Sequence, residues 1–265
     1  MQYGWSDALD AAFGPHSGPG VVPGRVTVQH RGAYDVVTTD GELRCDIRGR
    51  LFDDATTNAS LPVVGDWVIV SARPDDSSGT VEALLPRRSK LSRKQTLAAA
   101  DEHILAANVD VVFLATSLNE DLSLRRLERY LVLARESGAT PVVLLTKADL
   151  HHDPAGAVAE VAAVAGDTPV LAISTRSGTG LDRVRAYLTP GTTAALLGSS
   201  GVGKSTLVNA LVGTDALATQ EIRDDGKGRH TTTRRELVLL PGGGLVIDTP
   251  GLRELQLWMS DDGLD

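Results

Sequence analysis

A glycine-rich stretch at residues 198–205 has the residue types and spacing of a phosphate-binding loop. It reads Gly-Ser-Ser-Gly-Val-Gly-Lys-Ser between an apolar stretch at 194–197 and an amphipathic one at 204–211. Glycines allow backbone N–H groups to face phosphate oxygens, and the following helix adds the positive end of its dipole. Lys204 can then reach the β- and γ-phosphates, and the Ser205 hydroxyl can bind Mg²⁺. The predicted phosphate-binding residues are Gly198, Ser199, Ser200, Gly201, Val202, Gly203, Lys204, Ser205 and Thr206.

A second stretch, Asp-Thr-Pro-Gly at residues 248–251, directly follows the apolar run 245–247. An aspartate at the end of a buried strand is typical of the carboxylate that holds Mg²⁺ in P-loop enzymes. The backbone N–H of Gly251 can bind the γ-phosphate, and this glycine can act as a hinge when that phosphate leaves. Residues 228–233, Gly-Arg-His-Thr-Thr-Thr, lie where a switch I loop is expected, and Thr232 is the predicted Mg²⁺ ligand among its threonines.

Two further stretches have the pattern of guanine-binding loops. Residues 146–149, Thr-Lys-Ala-Asp, follow the apolar run 142–145 and resemble the Asn-Lys-x-Asp signature of the translation-factor class of GTPases. The Asp149 carboxylate can accept from the ring N1–H and the exocyclic amine of guanine, a donor pair that adenine lacks. Thr146 stands in place of Asn and can make only part of its contacts, so we expect lower affinity with the specificity kept. The predicted guanine-binding residues are Thr146, Lys147, Ala148, Asp149, Ser174 and Thr175.

The elements that must position these residues fall into two patterns. Residues 24–85 alternate apolar and polar side chains in five short runs separated by turns, which predicts a five-stranded β-barrel of the OB-fold type. After about residue 100, apolar strand-like runs alternate with helical ones, which predicts a mostly parallel α/β sheet with helices on both faces. The predicted domains are a flexible N-terminal segment (1–21), an RNA-binding barrel (22–86), a basic linker (87–100) and a GTPase domain (101–265).

The predicted linker carries five basic residues in the nine positions 86–94. A strip of this kind is either a solvated connection or a surface that contacts RNA phosphates beside the barrel, and the segment alone does not decide between them. The candidate RNA-binding residues are Arg87, Arg88, Lys90, Arg93 and Lys94.

Composition excludes several classes of protein. The chain has 265 residues, 42% of them hydrophobic and 23% charged, which is typical of a globular protein of two domains. A net charge of −8 argues against a surface that is basic throughout, and the single cysteine, Cys45, excludes an internal disulfide. No apolar run is long enough for a membrane span, and no signal peptide is recognisable, so a cytoplasmic monomer without a membrane partner is expected.

The order of the motifs is unusual, because the guanine-binding loops precede the phosphate-binding loop. The GTPase domain is therefore predicted to be circularly permuted. This order, the preceding barrel and the run 226–233 together resemble the ribosome small-subunit-dependent GTPase A family over residues 22–258. The resemblance implies GTP/GDP and Mg²⁺ as ligands, and the small (30S) ribosomal subunit with its 16S rRNA as partner in late maturation. It also implies a C-terminal zinc-binding domain, which we expect to be absent from this chain because it lacks a Cys–His ligand set.

The catalytic group is less evident, because Leu252 follows Gly251 where Ras-like enzymes have a water-positioning Gln. The family resemblance makes His230 the candidate, with Lys204 and Gly251 on the phosphates; an exposed loop histidine without a role is the alternative. An ATPase is a rival interpretation that Asp149 disfavours. A rival of another class is an RNA-binding protein that uses GTP/GDP as a conformational ligand on a different structured RNA, which intact Lys204, Ser205 and Asp248 disfavour.

Overall fold

A computed structural model describes residues 2–49, 58–94, 102–118, 122–213 and 235–248. Within these ranges the helices are α1 (Asp7–Phe13), α2 (Leu124–Glu136), α3 (Pro154–Ala165), α4 (Leu181–Arg185) and α5 (Lys204–Val212). None of the described helices is long and apolar enough to cross a membrane.

The first five strands close into a barrel. They are β1 (Val21–Gln29), β2 (Ala33–Thr38), β3 (Gly41–Ile47), β4 (Trp67–Arg73) and β5 (Ser78–Leu84). Each pairs with the next in the cyclic order β1-β2-β3-β5-β4-β1, and only the β3–β5 pair is parallel. Alternate side chains, among them Val26, Val36, Cys45, Val70 and Val81, fill the interior. The five-stranded OB-type barrel predicted from the alternating pattern is confirmed.

The α/β part is a six-stranded sheet. Its strands are β8 (Val111–Ser117), β9 (Thr140–Thr146), β10 (Val170–Ala172), β11 (Thr193–Gly198), β12 (Glu236–Leu239) and β13 (Leu245–Asp248). The order is β10-β9-β8-β11-β13-β12, parallel except for β12. Helices α2 and α3 pack on one face and α4 and α5 on the other, so the predicted three-layer arrangement is confirmed.

The segment expected to be a basic linker contains a strand. β6 (Lys90–Lys94) pairs antiparallel with β7 (Glu102–Ala107), and the backbone N–H of Lys90 donates to the carbonyl of Ser137 at the end of α2. This pair gives no signal in the sequence pattern, because β6 is mostly polar. Its buried residue, Leu91, inserts into the core between the α/β sheet and α2.

The prediction that residues 1–21 form a flexible segment is wrong at Asp7–Phe13, which form helix α1. Ser6 caps this helix by accepting from the N–H of Leu9, and two acidic residues lie in its first turn. Its apolar side packs on the outside of the barrel, where the Trp5 and Trp67 rings meet edge to face with centroids 4.8 Å apart. The glycines and prolines at 14–20 predict a flexible segment, but the packing of the aromatic residues on the barrel stabilises an ordered one.

Candidate nucleotide-binding site

The predicted nucleotide-binding residues that the structure describes meet at one edge of the α/β sheet. Thr146 ends β9, Gly198 ends β11, Asp248 ends β13, and Ser174 follows β10. These four strands run parallel, so their carboxyl ends lie at the same edge, which is where open α/β sheets bind ligands. This edge therefore brings three parts of the chain to the phosphate-binding loop. Two are loops that precede it in the sequence, and the third is strand β13, which follows it.

The phosphate-binding loop has the backbone geometry that its glycines permit. Gly201 and Gly203 have positive φ angles of 79° and 97°, and Gly203 is the N-terminal cap of α5. At Gly198, a Cβ atom would lie 2.2 Å from the carbonyl oxygen of Ala115 in β8, so only glycine fits there. No side chain caps the N-terminus of α5. Its first N–H groups are thus available to an anion, in the arrangement by which helix N-termini bind phosphate.

Lys204, Ser205 and Asp248 lie beside this loop. The ammonium of Lys204 donates to the carbonyl oxygens of Gly198 and Ser199, at 2.6 and 2.7 Å, which holds it against the loop. The Ser205 residue is exposed on the first turn of α5. Burial raises the pKa of the Asp248 carboxyl, and the Lys204 charge acts in the opposite direction. Asp248, a partly buried carboxylate within the influence of the Lys204 charge, and the exposed Ser205 that follows Lys204 supply oxygen donors of the kind that a hard cation such as Mg²⁺ takes.

The two guanine-type loops support each other through backbone hydrogen bonds. The N–H of Ala148 donates to the carbonyl of Ile173, and the N–H of Ile173 donates to the carbonyl of Leu145. Lys147 adopts the left-handed conformation, at φ 57°, and this turns the chain so that Asp149 is exposed. Ser174 is nearly fully buried, and its hydroxyl accepts from the N–H of Ser177. The Asp149 carboxylate on this hydrogen-bonded turn is therefore accessible to a ligand base.

Thr146 connects the base-type loop to the phosphate-type loop. Its hydroxyl donates to the carbonyl oxygen of Val202 at 2.6 Å, across 56 positions of sequence, and the residue is buried. The hydroxyl thus makes one of the contacts that an asparagine amide could make here. A threonine in place of asparagine predicts only a weakened site, whereas in the structure Thr146 contacts the phosphate-type loop directly.

Thr146→Val is expected to lower the affinities for GTP and GDP about tenfold each, because the Val202 carbonyl loses its buried donor and the loop loses its brace. Titration with a fluorescent nucleotide analogue measures this directly. Thr146→Ser, which keeps the hydroxyl, is the matched control and should stay within about threefold of the parent affinity. Equal affinities in the Val and Ser variants would contradict the bracing role.

Three predicted site residues, His230, Thr232 and Gly251, lie outside the described residues. Their roles stay predictions. Two polar side chains that the sequence analysis did not single out, Arg25 and Asp110, contact the opposite end of the loop-bearing strand. An Asp110 carboxylate oxygen accepts from the N–H of Thr193, the first residue of β11, at 2.8 Å. A lone aspartate before an apolar run carries no local signal of such a role.

The candidate RNA-binding residues have intramolecular partners where their side chains are described. Arg87 forms a bidentate pair with the fully buried Asp66, at 2.7 and 2.6 Å, and also donates to the carbonyls of Ala59 and Leu61. The other ion pairs of the strip are Arg88–Asp110 at 3.0 Å and Lys90–Glu102 at 2.6 Å. Arg93 and Lys94 lie in β6, and the structure describes only their backbone. RNA contact by these residues stays a prediction, and the Arg87 geometry favours a structural role for that side chain.

Arg87→Ala is expected to lower the free energy of unfolding by about 3–5 kcal/mol, because it leaves the Asp66 carboxylate buried without its partner. Urea denaturation followed by circular dichroism measures the change. Arg31→Ala, at an exposed position in the β1–β2 turn, is the control and should change the stability by less than about 0.5 kcal/mol. If both variants were equally stable, Arg87 would be free for an external ligand.

Comparison with known proteins gives the fold and the site a family. The family model described as RsgA GTPase matches residues 84–258, which span the α/β sheet and all the predicted nucleotide-binding loops. The chain belongs to the RsgA GTPase family. It is accordingly a circularly permuted GTPase with an N-terminal barrel.

Relatives of this RsgA GTPase match it almost from end to end. The small ribosomal subunit biogenesis GTPase RsgA of Streptomyces coelicolor is 49% identical, over 99% of this chain and 71% of its own length. The protein of the same name from Opitutus terrae is 47% identical, over 98% of this chain and 73% of its own. Both alignments include the barrel as well as the GTPase part.

Solved structures agree with the fold of this RsgA GTPase. YjeQ from Thermotoga maritima superposes with a TM-score of 0.65 at 28% identity, covering 88% of this chain and 75% of that one. YloQ, described as a circularly permuted GTPase, gives a TM-score of 0.61 at 24% identity, covering 88% and 72%, and shows the same fold. The permutation deduced from the motif order is confirmed.

Proposed function

We propose that this RsgA GTPase binds the small ribosomal subunit through 16S rRNA, assists its late maturation, and hydrolyses GTP to GDP and phosphate with subunit-stimulated turnover. The observation that carries the proposal is the high identity, across barrel and GTPase part together, to relatives named as small-subunit biogenesis GTPases. A closed OB-type barrel is a common nucleic-acid-binding unit, and here it is built onto the nucleotide-binding sheet. A cytoplasmic monomer is part of the same proposal.

The nucleotide is held by three groups of this chain. Asp149 pairs with the guanine edge, the glycine-rich loop and the N-terminus of α5 surround the phosphates, and Lys204 neutralises the β- and γ-phosphates. Thr146 fixes the first of these groups against the second through Val202. The distance between the base-binding and phosphate-binding parts is thereby set by the protein before the ligand arrives, which reduces the ordering cost of binding.

The residues present also fit Mg²⁺, which when bound neutralises charge on the β- and γ-phosphates. Ser205 and Asp248 would hold it, with Thr232 closing over it. Burial raises the pKa of the Asp248 carboxyl, and a cation bound beside it would lower that pKa and so favour the carboxylate form.

Hydrolysis requires a group that orients the attacking water, and Leu252 cannot do so. We assign this role to His230 on the family resemblance, and we propose that the subunit is needed for it to act. His230→Ala is expected to leave GTP affinity within about twofold and to lower subunit-stimulated turnover by about 10²-fold, the size of a lost acid–base or water-positioning group. Phosphate release with and without subunits measures it, and full stimulation in this variant would remove His230 from the mechanism.

Co-sedimentation with small ribosomal subunits, in GDP and in a non-hydrolysable GTP analogue, tests the proposed function. Preferential binding in the GTP-like state together with stimulated multiple-turnover phosphate release is the expected result. Failure of the subunits to bind or stimulate, with GTP binding intact, would instead favour a GTP-controlled protein of another structured RNA.

A further inference from the structure

Arg25 is a buried cation at the junction of the barrel and the GTPase sheet. It lies in β1 and is 1% exposed. Its Nε donates to the carbonyl of Gly65 at 3.2 Å, Nη1 donates to the carbonyl of Tyr3, and Nη2 donates to the carbonyl of Asn108 at 3.2 Å and the hydroxyl of Thr193 at 2.9 Å. The guanidinium carbon also lies 5.5 Å from the centre of the Trp67 ring. Every nitrogen of the guanidinium is thus used in a contact.

These contacts join separate parts of the chain. Gly65 and Trp67 belong to the barrel, Asn108 precedes β8, and Thr193 begins β11. Burial lowers the pKa of Arg25 to about 10, and Asp110 and Asp66 oppose that shift, so the group is a cation at neutral pH. A buried cation with fixed hydrogen-bond partners resists displacement, because any separation would leave its N–H donors buried without acceptors.

Thr193 connects this junction to the phosphate-binding loop through β11. It is fully buried, and β11 runs from it to Gly198, the first glycine of the phosphate-binding loop. The five residue steps between them span roughly 17 Å of extended strand. Asp110 accepts from the backbone N–H of Thr193, and Arg25 donates to the Thr193 hydroxyl. The N-terminal end of β11 is therefore held by residues of both the sheet and the barrel.

A second connection runs through the backbone. Val28, three residues beyond Arg25 in β1, pairs with Glu236 in β12, and Glu236 pairs with Asp248 in β13. The barrel therefore shares one continuous sheet with the strand that ends at the predicted Mg²⁺ carboxylate. Strand β1 is thus connected to the phosphate-binding loop through Arg25 and β11, and to Asp248 through the β12–β13 pairing.

We infer that Arg25 is a positioning residue of the GTPase, which couples the barrel to the phosphate-binding loop through Thr193. An RNA ligand that fixes the barrel then fixes the start of β11 and the β12–β13 pair, and so favours one arrangement of the phosphate site. The inference rests on the proposed function for the identity of that RNA. Coupling of this kind is reciprocal, so the nucleotide state also alters the barrel.

The first test uses the protein alone and needs no ribosome. Hydrogen–deuterium exchange of β1 amides is measured with GDP and with a non-hydrolysable GTP analogue, in the parent, in Thr193→Val and in Thr193→Ser. We expect the analogue to slow exchange in β1 at least fivefold relative to GDP in the parent and in the Ser variant, and the difference to fall by at least half in the Val variant, which lacks the acceptor for Arg25 but keeps the β1–β12 pairing. Identical β1 exchange in both nucleotide states of the parent, or a full difference in the Val variant, would overturn the inference.

The second test adds small ribosomal subunits. Thr193→Val should retain basal hydrolysis and GTP affinity within twofold while its subunit-stimulated kcat falls five- to tenfold, and Thr193→Ser should behave as the parent. Arg25→Lys, which keeps the charge but not the geometry, should show the same selective loss. Full stimulation in the Val and Lys variants would overturn the coupling. Absence of stimulation in the parent itself would be a failure of the proposed function, and the exchange experiment then decides the coupling separately.

Discussion

Asp149→Asn is expected to lower the affinity for GTP by about 10²–10⁴-fold and to create affinity for xanthosine triphosphate. The carboxylate is proposed to accept from two donors of guanine, and each charge-assisted bond contributes about 1.5–3 kcal/mol. An asparagine amide presents a donor beside an acceptor, which matches the C2 carbonyl and N1–H of xanthine and mismatches guanine. Competition binding with a fluorescent nucleotide, against GTP, xanthosine triphosphate and ATP, measures the change.

The matched control for this exchange is Asp167→Asn, at an exposed position after α3 and away from the site edge. It should leave GTP affinity unchanged. Unaltered preference for GTP in the Asp149 variant would mean that the base is read elsewhere, and it would reopen an adenine nucleotide as the substrate.

Lys204→Ala is expected to reduce kcat/KM for GTP by at least about 10²–10³-fold. The ammonium is held against the loop by the Gly198 and Ser199 carbonyls, beside the predicted position of the β- and γ-phosphates. Loss of one pre-positioned donor to a developing charge costs about 3–4 kcal/mol of transition-state stabilisation. Single-turnover phosphate release measures the rate, and nucleotide titration separates the loss of binding from the loss of catalysis.

Arg183→Ala, on the exposed side of α4, is the charge-matched control and should hydrolyse GTP at the parent rate. A Lys204 variant that retained more than about a tenth of the parent kcat/KM would show that the phosphate charge is stabilised by other groups. It would also imply that the glycine-rich loop binds an anion without taking part in the reaction.

Local patterns were enough to predict most of the fold. The alternation at 24–85 predicts the strands of the barrel, and the glycine-rich loop at 198–205, with its flanking strand and helix, predicts the site edge, because in both cases the signal lies within a few residues. The permutation follows from motif order alone.

Features that depend on distant partners were missed. Arg25 occupies an outward position of a strand and was not singled out, since nothing nearby indicates that Thr193 and Asn108 will accept its hydrogen bonds. Arg87 was read with its basic neighbours, whereas its environment is set by Asp66, 21 positions earlier. Strand β6 is polar and becomes recognisable only beside β7. The environments of these residues depend on tertiary contacts, which leave no periodic pattern in the sequence.

The pairing of Val28 with Glu236 has a consequence for the synthesis of the chain. The barrel strands are translated first, and β1 can close against β2 and β4 while its far half still has an open edge, because β12 is encoded about 200 residues later. The predicted guanine-binding loop at 146–149 emerges next, then the glycine-rich loop at 198–205. Strand β13, which ends at Asp248, emerges last of the three. A nascent chain can therefore fold its barrel well before its predicted nucleotide-binding edge is complete. Nucleotide binding is thus expected only after the sheet that pairs with the barrel has formed.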